Sequence, residues 1–167
     1  PEGVRTMLGV FDSVDDATNA ISAIIGAGII PAALEMVDHD IMVALEEAFQ
    51  FGFPLDAEAI LIIEVDGIEA GLDTQRDQII EICKSVGARE VRQAENEQHR
   101  QQLWKARKQA FGAIGRLASS LVTQDGVVPR TQIPQMYKTI MAIGKKYDIQ
   151  IVNVFHARDG NIHPVML

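Results

Sequence analysis

The sequence predicts an α+β fold, built as a ferredoxin-like antiparallel sheet that is covered by helices. Short strand-like and helix-like segments alternate along the 167 residues, which is typical of a layered sheet and helix structure. The last segment holds two apolar runs around Asp159-Gly160, the strongest short-range signal for an antiparallel hairpin. Simple parallel winding also fits this order, but the short spacings and the terminal hairpin favour the antiparallel sheet, with helices on one side.

The first half of the chain is predicted to contain three strands and two helices. Ser13 and Asp38 each precede a run of apolar residues at helical spacing, and both residue types are favoured N-caps. Asp15 and Asp16 then lie in the first turn of the first helix, where carboxylates stabilise its positive end. The predicted elements are a strand at 4–11, a helix that ends at 26–28, a strand at 32–37, a helix that extends to Phe49, a loop at 51–57, and a strand at 59–65 that ends at Asp66-Gly67.

The second half is dominated by one long predicted helix. Apolar residues recur at helical spacing from Leu103 to Leu121, which predicts a helix from Glu95 to about residue 121. Pro134 suits the first turn of a later helix, because its fixed φ is compatible with a helix start. The predicted elements are a helix at 68–87, a strand at 89–93, a helix at 95–121, an extended segment at 122–129, a helix at 134–147, and the hairpin from 151 onward.

The composition sets limits on the function. With 47% hydrophobic residues, the chain is long enough to bury the core of one domain. A net charge of −8 and a pI near 4.9 argue against nucleic acid and anionic membrane surfaces as partners. No apolar run approaches the roughly 20 residues of a membrane span, and no signal peptide is visible. Cys83 is the only cysteine, so we expect a reduced core thiol and a cytoplasmic protein.

Two histidines near the end of the chain are candidate metal ligands. A two-residue turn at Asp159-Gly160 would place His156 directly opposite His163, with Cβ atoms roughly 4.5–5.5 Å apart on one face of the sheet. Two imidazoles at that separation can bind one metal ion. A single histidine in a strand is usually a packed or surface residue, but two in cross-strand register beside Asp159 and Asn161 slightly favour a metal or ligand site. His39 and His99 lie among charged residues at helix starts and are interpreted as surface residues.

Two arginines are candidate binding residues for an anion. Arg107 lies on the apolar seam of the long helix, where it must snorkel, form an internal ion pair, or bind an anion, and the pattern does not decide among these. Arg130 lies in an extended loop between Pro129 and Pro134, where an arginine is more often only solvated. No phosphate loop, nucleotide-binding glycine fingerprint or nucleophile elbow is present in the sequence.

Several segments, taken together and in order, resemble the C-terminal substrate domain of FAD-linked oxidases. Within that family the similarity is greatest to the branch of glycolate oxidase D subunits and D-lactate and D-2-hydroxyglutarate dehydrogenases. The HxxDGNxH and LWxxRK elements are the most specific parts of the resemblance. The segments that carry it are ALEMVDHDIM, EAILIIEVDG, QLWKARKQAFGAIG, DGVVPRTQIP and NVFHARDGNIHPVML.

The resemblance implies a role for each candidate residue. Arg107 matches the helix arginine that binds the substrate carboxylate, and Arg130 matches a basic loop residue that also reaches the substrate. His156 and His163 match paired histidines that bind a divalent metal such as Zn or Mn in metal-dependent members, and Asn161 would line the same pocket. FAD would be bound mainly by an N-terminal domain of the same protein.

The resemblance also identifies a departure and some missing parts. Arg158 stands where the family usually has a glycine. If that glycine supplies a positive φ, Arg158 would be strained or the turn would differ, and if it supplies close approach to flavin or substrate, Arg158 would crowd the site or add a cation. The start at Pro1, without Met, suggests a piece of a longer protein. We expect residues 1–167 to lack the FAD domain and the downstream end of the catalytic domain, which would hold a metal-binding glutamate and a histidine base.

The sequence therefore predicts part of a flavin-dependent enzyme. The expected reaction is oxidation of a small 2-hydroxy acid, of the glycolate or D-lactate type, to the 2-oxo acid, and the fragment alone should be inactive. The resemblance also allows for further flavin and iron–sulfur subunits. Through such subunits the enzyme would attach peripherally to a membrane. The rival interpretation is a non-enzymatic ferredoxin-like module that binds a metal or a small effector.

Overall fold

The computed structural model describes residues 2–167, which form eight strands and five α-helices. The strands and helices alternate as far as the fourth helix, and two short strands follow it. In chain order the elements are β1 Glu2–Phe11, α1 Val14–Gly26, β2 Ala33–Asp38, α2 His39–Phe49, β3 Ala59–Ile68, α3 Glu69–Ser85, β4 Ala88–Gln93, α4 Glu97–Ile114, β5 Val122–Thr123, β6 Gly126–Val127, α5 Ile133–Tyr147, β7 Ile151–His156 and β8 Asn161–Met166.

The strands form one antiparallel sheet, as predicted. Its order is β4-β1-β3-β2-β7-β8-β5, and β6 also pairs with β8. The first four strands are connected as β-α-β-β-α-β, with α2 inserted between β2 and β3, and β3 lies between β1 and β2. This arrangement is the ferredoxin-like motif, so the predicted fold class is confirmed.

Helices cover both faces of the sheet, which corrects the prediction of helices on one side. Met7, Leu61 and Ile63 pack in one apolar cluster with residues of α1, α3 and α5. Their neighbours Leu8 and Ile62 belong to a second cluster with residues of α2 and α4. Because successive strand residues point to opposite faces, strands buried on both sides read as continuous apolar runs, and β3 is such a run.

Two predicted boundaries are wrong for identifiable reasons. The strand β3 continues past Asp66-Gly67, because these residues pair with Val4 and Gly3 of β1 rather than forming a turn. The helix α4 ends at Ile114 instead of residue 121. Gly115 is the C-cap, and the chain leaves the helix in a turn in which the backbone N–H groups of Arg116 and Leu117 donate to the carbonyls of Ala113 and Ile114. Glycine is a poor helix former, so a helix readily ends there.

The sheet and α4 together define the location of the candidate residues. Glu35 of β2 pairs with His156 of β7, and both lie on the face that α2 and α4 cover. Asn96 caps α4 by accepting a hydrogen bond from the backbone of His99 at 2.9 Å. None of the helices between residues 2 and 167 is long and apolar enough to cross a membrane.

Candidate functional site

The terminal hairpin brings His156 and His163 together, although not in the predicted register. The loop contains residues 157–160, so His156 pairs with Asn161, and His163 lies opposite Val154. The predicted direct pairing of the two histidines is therefore wrong by two residues. Since side chains alternate with a period of two, the shift leaves both imidazoles on the same face. Their ring centroids are 4.7 Å apart, with an angle of 72° between the planes.

Arg158 is accommodated in the hairpin loop without the strain that its position suggested. Among the described residues, the non-glycine positions with positive φ are Gln50 and Asp148. The Arg158 guanidinium instead donates a hydrogen bond to the carbonyl oxygen of Ala32 at 3.0 Å. Arg158 thus joins the loop to the start of β2.

Glu35 is the central residue of the candidate site, and sequence reasoning missed it. Its side chain is buried in β2, and its residue exposure is only 4%. One carboxylate oxygen accepts a hydrogen bond from Nδ1 of His156, and the other forms an ion pair with Nη2 of Arg107 at 3.1 Å. The available signal was a carboxylate between apolar residues in the middle of a strand whose residues are all buried.

Arg107 combines the internal ion pair with donors that have no protein partner. Its side chain is 31% exposed, and its guanidinium carbon lies 5.2 Å from the centroid of the Trp104 ring. Its Nε atom is buried and has no hydrogen-bond partner among the described residues. An unpaired buried donor is costly, so this atom is suited to an acceptor such as a substrate carboxylate.

His163 is held by Asp125, a second carboxylate that sequence reasoning did not assign. Nδ1 of His163 lies 3.2 Å from Oδ1 of Asp125. The Asn161 amide, in the orientation that fits its surroundings, donates to the same oxygen at 3.1 Å and to the carbonyl of Gly126 at 2.9 Å. Burial, together with the neighbouring His156, lowers the pKa of His163 from its ordinary value, which favours the neutral imidazole. Nε2 of His163 is buried without a partner.

Arg130 lies apart from this cluster. It begins a single 3₁₀ turn directly after Pro129. A Cβ atom placed on Gly160 would lie 3.8 Å from Cγ of Arg130, so the arginine stem is next to the hairpin loop. Within residues 2–167 no hydrogen bond or ion pair connects Arg130 with the other candidates. The structure thus brings together His156, His163, Asn161 and Arg107, but not Arg130.

The two imidazoles match part of a metal site. Each binds a carboxylate through Nδ1, and this arrangement leaves Nε2 available to a metal ion and fixes the ring orientation. The unpaired, buried Nε2 of His163 is consistent with such a ligand. However, no group of three or more His, Cys, Asp or Glu side chains among residues 2–167 is arranged to hold a metal. The two imidazoles alone do not make a metal site within the described part of the chain.

Comparison with known proteins identifies the family of the chain. The family of FAD linked oxidases, C-terminal domain, matches residues 1–167. The chain is 41% identical over 167 residues to glycolate oxidase subunit GlcD of Escherichia coli (strain K12), with 100% of the chain and 34% of the relative covered. It is 38% identical over 164 residues to the same subunit of Bacillus subtilis (strain 168), with 98% and 35% covered.

A more distant relative is also similar in sequence, and one solved structure shares the fold. A probable mitochondrial D-lactate dehydrogenase of Danio rerio is 28% identical over 165 residues, with 98% of the chain and 33% of the relative covered. The solved structure of an alkyldihydroxyacetonephosphate synthase matches with a TM-score of 0.69 at 13% identity, over 98% of this chain and 36% of that one. The chain spans about a third of the length of the curated relatives it matches.

Proposed function

Because the chain belongs to the family of FAD linked oxidase C-terminal domains, we propose that it is the substrate-binding domain of a flavin-dependent enzyme that oxidises a small 2-hydroxy acid to the 2-oxo acid. Glycolate and D-lactate are the substrates we favour, since relatives carry the names glycolate oxidase and D-lactate dehydrogenase. The observation that carries the proposal is the cluster of Arg107, Glu35, His156 and His163, with its two unpaired buried nitrogens.

In this proposal Arg107 anchors the substrate carboxylate. Its free Nε donor and the planar shape of the guanidinium suit an incoming carboxylate, while Glu35 holds Nη2. Asn161 lines the same pocket, and Arg130 approaches the substrate from the 3₁₀ turn beside the hairpin loop. The lowered pKa of His163 favours its neutral form, so that His163 adds no positive charge next to His156.

In this proposal a divalent metal and FAD assist the residues of the chain. His156 and His163 would hold a divalent metal such as Zn or Mn, which supplies Lewis-acid polarisation of the 2-hydroxyl group when bound. FAD, bound mainly by an N-terminal domain of the same protein, supplies the hydride acceptor. Glu35 keeps His156 in the tautomer that carries hydrogen on Nδ1 and a lone pair on Nε2. The proposal assigns no residue of 1–167 as the base that takes the hydroxyl proton.

The setting of the enzyme is also part of the proposal. We expect a cytoplasmic protein that works with its own flavin domain and, in some assemblies, with further flavin and iron–sulfur subunits. The alternative of a non-enzymatic metal or effector module loses support, because the chain belongs to a family of oxidases.

The test uses the full-length protein purified with its flavin. We would mix it anaerobically with glycolate, D-lactate, L-lactate or D-2-hydroxyglutarate and follow the loss of oxidised flavin absorbance. Bleaching by glycolate or by one D-hydroxy acid supports the proposal and names the substrate. Bound flavin that none of these acids bleaches would contradict the substrate class.

The Arg107→Ala variant tests the carboxylate anchor in the same assay. Loss of a charged hydrogen bond predicts a half-saturating substrate concentration roughly 10- to 100-fold higher. Lys145→Ala is the control, because Lys145 is an exposed lysine of α5 that forms no ion pair with residues 2–167 and lies on a helix that packs against the opposite face of the sheet. Equal substrate affinity in the wild-type protein and Arg107→Ala would remove Arg107 from the site.

A further inference from the structure

We infer that Trp104 and Glu64 are positioning residues, which hold the Arg107 guanidinium in its substrate-binding orientation without contacting the substrate. The inference rests on the proposed function, because that function makes Arg107 the carboxylate anchor. It extends the site from β2 and β7 to β3 and β1. The buried side chains of Glu35, Glu64 and Thr6 form a polar strip across these strands, beneath α4.

Glu64 is a second buried carboxylate on the same face of the sheet. It lies in the apolar strand β3 with only 8% of its surface exposed. Its Oε2 accepts hydrogen bonds from the indole nitrogen of Trp104 at 2.6 Å and from Oγ1 of Thr6 at 2.6 Å. Arg100 approaches the same oxygen at 3.4 Å. A buried charge is tolerated only when it is well paired, so the donors fix Glu64 and Glu64 in turn fixes the indole.

The fixed indole then contacts Arg107. Residues three apart on a helix are neighbours, and the Arg107 guanidinium carbon lies 5.2 Å from the Trp104 ring centroid. The guanidinium is therefore held by the indole through a cation–π contact and by Glu35 through the ion pair at 3.1 Å. These two contacts restrict a side chain that otherwise has many rotamers, which leaves its free Nε donor at a defined place.

A restrained arginine binds its ligand more tightly than a mobile one. Ordering a flexible side chain opposes binding, and a side chain that is already ordered avoids that loss. Replacing Trp104 with leucine is therefore expected to raise the half-saturating substrate concentration of flavin reduction about 3- to 30-fold. The limiting rate at saturating substrate is expected to change less, because the reacting atoms of substrate and flavin do not contact Trp104.

A double-mutant cycle in the full-length flavoprotein tests whether Trp104 acts through Arg107. The proteins are the wild type, Trp104→Leu, Arg107→Ala and the double variant, and the measurement is the substrate dependence of anaerobic flavin bleaching. We expect Trp104→Leu to weaken binding in the wild-type background and to have no further effect beside Arg107→Ala. An equal effect in both backgrounds, or no effect in either, overturns the inference while Arg107 keeps its role. If Arg107→Ala itself changes nothing, the proposed function fails and the inference fails with it.

Further variants separate positioning from a general loss of structure. Trp104→Phe keeps an aromatic face but loses the N–H group that Glu64 holds, and it is expected to fall between the wild type and Trp104→Leu. The matched control is Phe49→Leu, which removes another cation–π contact of α4, the one with Lys105 at 5.5 Å. An unchanged substrate affinity in Phe49→Leu supports the inference. A loss equal to that of Trp104→Leu overturns it, because any disturbance of α4 would then have the same result.

Discussion

At the residue scale, the buried carboxylate of Glu35 holds two other candidate side chains in place and fixes the tautomer of one of them. Its carboxylate contacts both His156 and Arg107, so it links the imidazole pair to the arginine that we propose as the substrate anchor. A carboxylate oxygen only accepts hydrogen bonds, and this fixes the hydrogen of His156 on Nδ1. The chemistry available at Nε2 of His156 therefore depends on Glu35.

Replacing Glu35 with glutamine is expected to weaken metal binding. The glutamine amide would donate to Nδ1 of His156, which moves the imidazole hydrogen to Nε2 and blocks that nitrogen as a ligand. We expect a 10- to 100-fold loss of metal affinity in the full-length protein, measured as metal content per flavin after dialysis against a chelator. Glu58→Gln, at an exposed carboxylate, is the control. Equal metal and flavin content in all three proteins would argue against a metal at His156 and His163.

Asp38 is a residue-scale source of pH-dependent stability. It lies at the N-cap position of α2 but makes no side-chain cap, and its carboxylate instead accepts a hydrogen bond from the backbone of Asn153 at 2.5 Å. Burial raises the pKa of Asp38 to about 7, and the hydrogen bonds from Asn153 offset part of that rise. The unfolded chain loses this proton near its ordinary pKa of about 4.

Stability is therefore expected to fall as the pH rises from about 4 to about 7. The folded state retains the Asp38 proton in this interval and the unfolded state does not, so the contribution is complete below pH 4 and is lost as the pH passes the folded pKa. The loss is up to roughly 4 kcal/mol. Asp38→Asn should flatten this part of the profile in denaturant unfolding, whereas the exposed Asp66→Asn should not. Parallel profiles for the wild type and Asp38→Asn would contradict the assignment.

The hairpin loop illustrates, at the scale of an element, what an Asp-Gly signal specifies. The signal correctly predicted two antiparallel strands, but it did not distinguish a two-residue turn from the observed loop at 157–160. Inside the loop the backbone N–H groups of Asp159 and Gly160 donate to the carbonyls of His156 and Ala157, and from outside the hairpin the N–H of Val128 donates to the carbonyl of Gly160 at 2.9 Å. Gly160 has a φ of 74°, a conformation that glycine adopts without strain.

Substituting Gly160 by alanine is expected to destabilise this element. An added Cβ atom would lie 2.1 Å from the carbonyl oxygen of Val128, and the positive φ adds backbone strain. We expect a loss of about 1–3 kcal/mol in the free energy of unfolding. Gly126→Ala is the matched control on the neighbouring strand, since its nearest contact is a side-chain atom at 3.6 Å. Similar unfolding midpoints for the two variants would show that the loop is free to rearrange.

For the whole molecule, the sequence predicts the features that depend on local patterns and misses the contacts that depend on distant strands becoming neighbours. The strand and helix order, the antiparallel sheet and the proximity of the two histidines follow from local patterns and from the period of two. The partners Glu35 and Asp125 depend on which strands become neighbours, and that pairing joins residues more than 35 positions apart in the chain. The site lies where the apolar packing beneath α4 gives way to a polar strip that starts at Thr6.

The charge distribution of the whole chain predicts how an anionic substrate reaches this strip. Although the net charge is −8, the segment 98–124 contains no Asp or Glu, and its basic residues are Arg100, Lys105, Arg107, Lys108 and Arg116. Lys105, Lys108 and Arg116 form no ion pairs with the residues that the structure describes. Cations beside Arg107 should raise the local concentration of a carboxylate substrate and speed its association.

We therefore expect the second-order rate constant of flavin reduction by the substrate to fall as salt is added, because ions screen this attraction. Replacing both Lys105 and Lys108 with glutamine should lower the rate constant at low salt and reduce its salt dependence. Lys145→Gln with Lys146→Gln on α5 is the matched control, since it removes the same charge from a helix that packs against the opposite face. If both pairs change the salt dependence equally, net charge alone governs association, and α4 has no special part in guiding the substrate to Arg107.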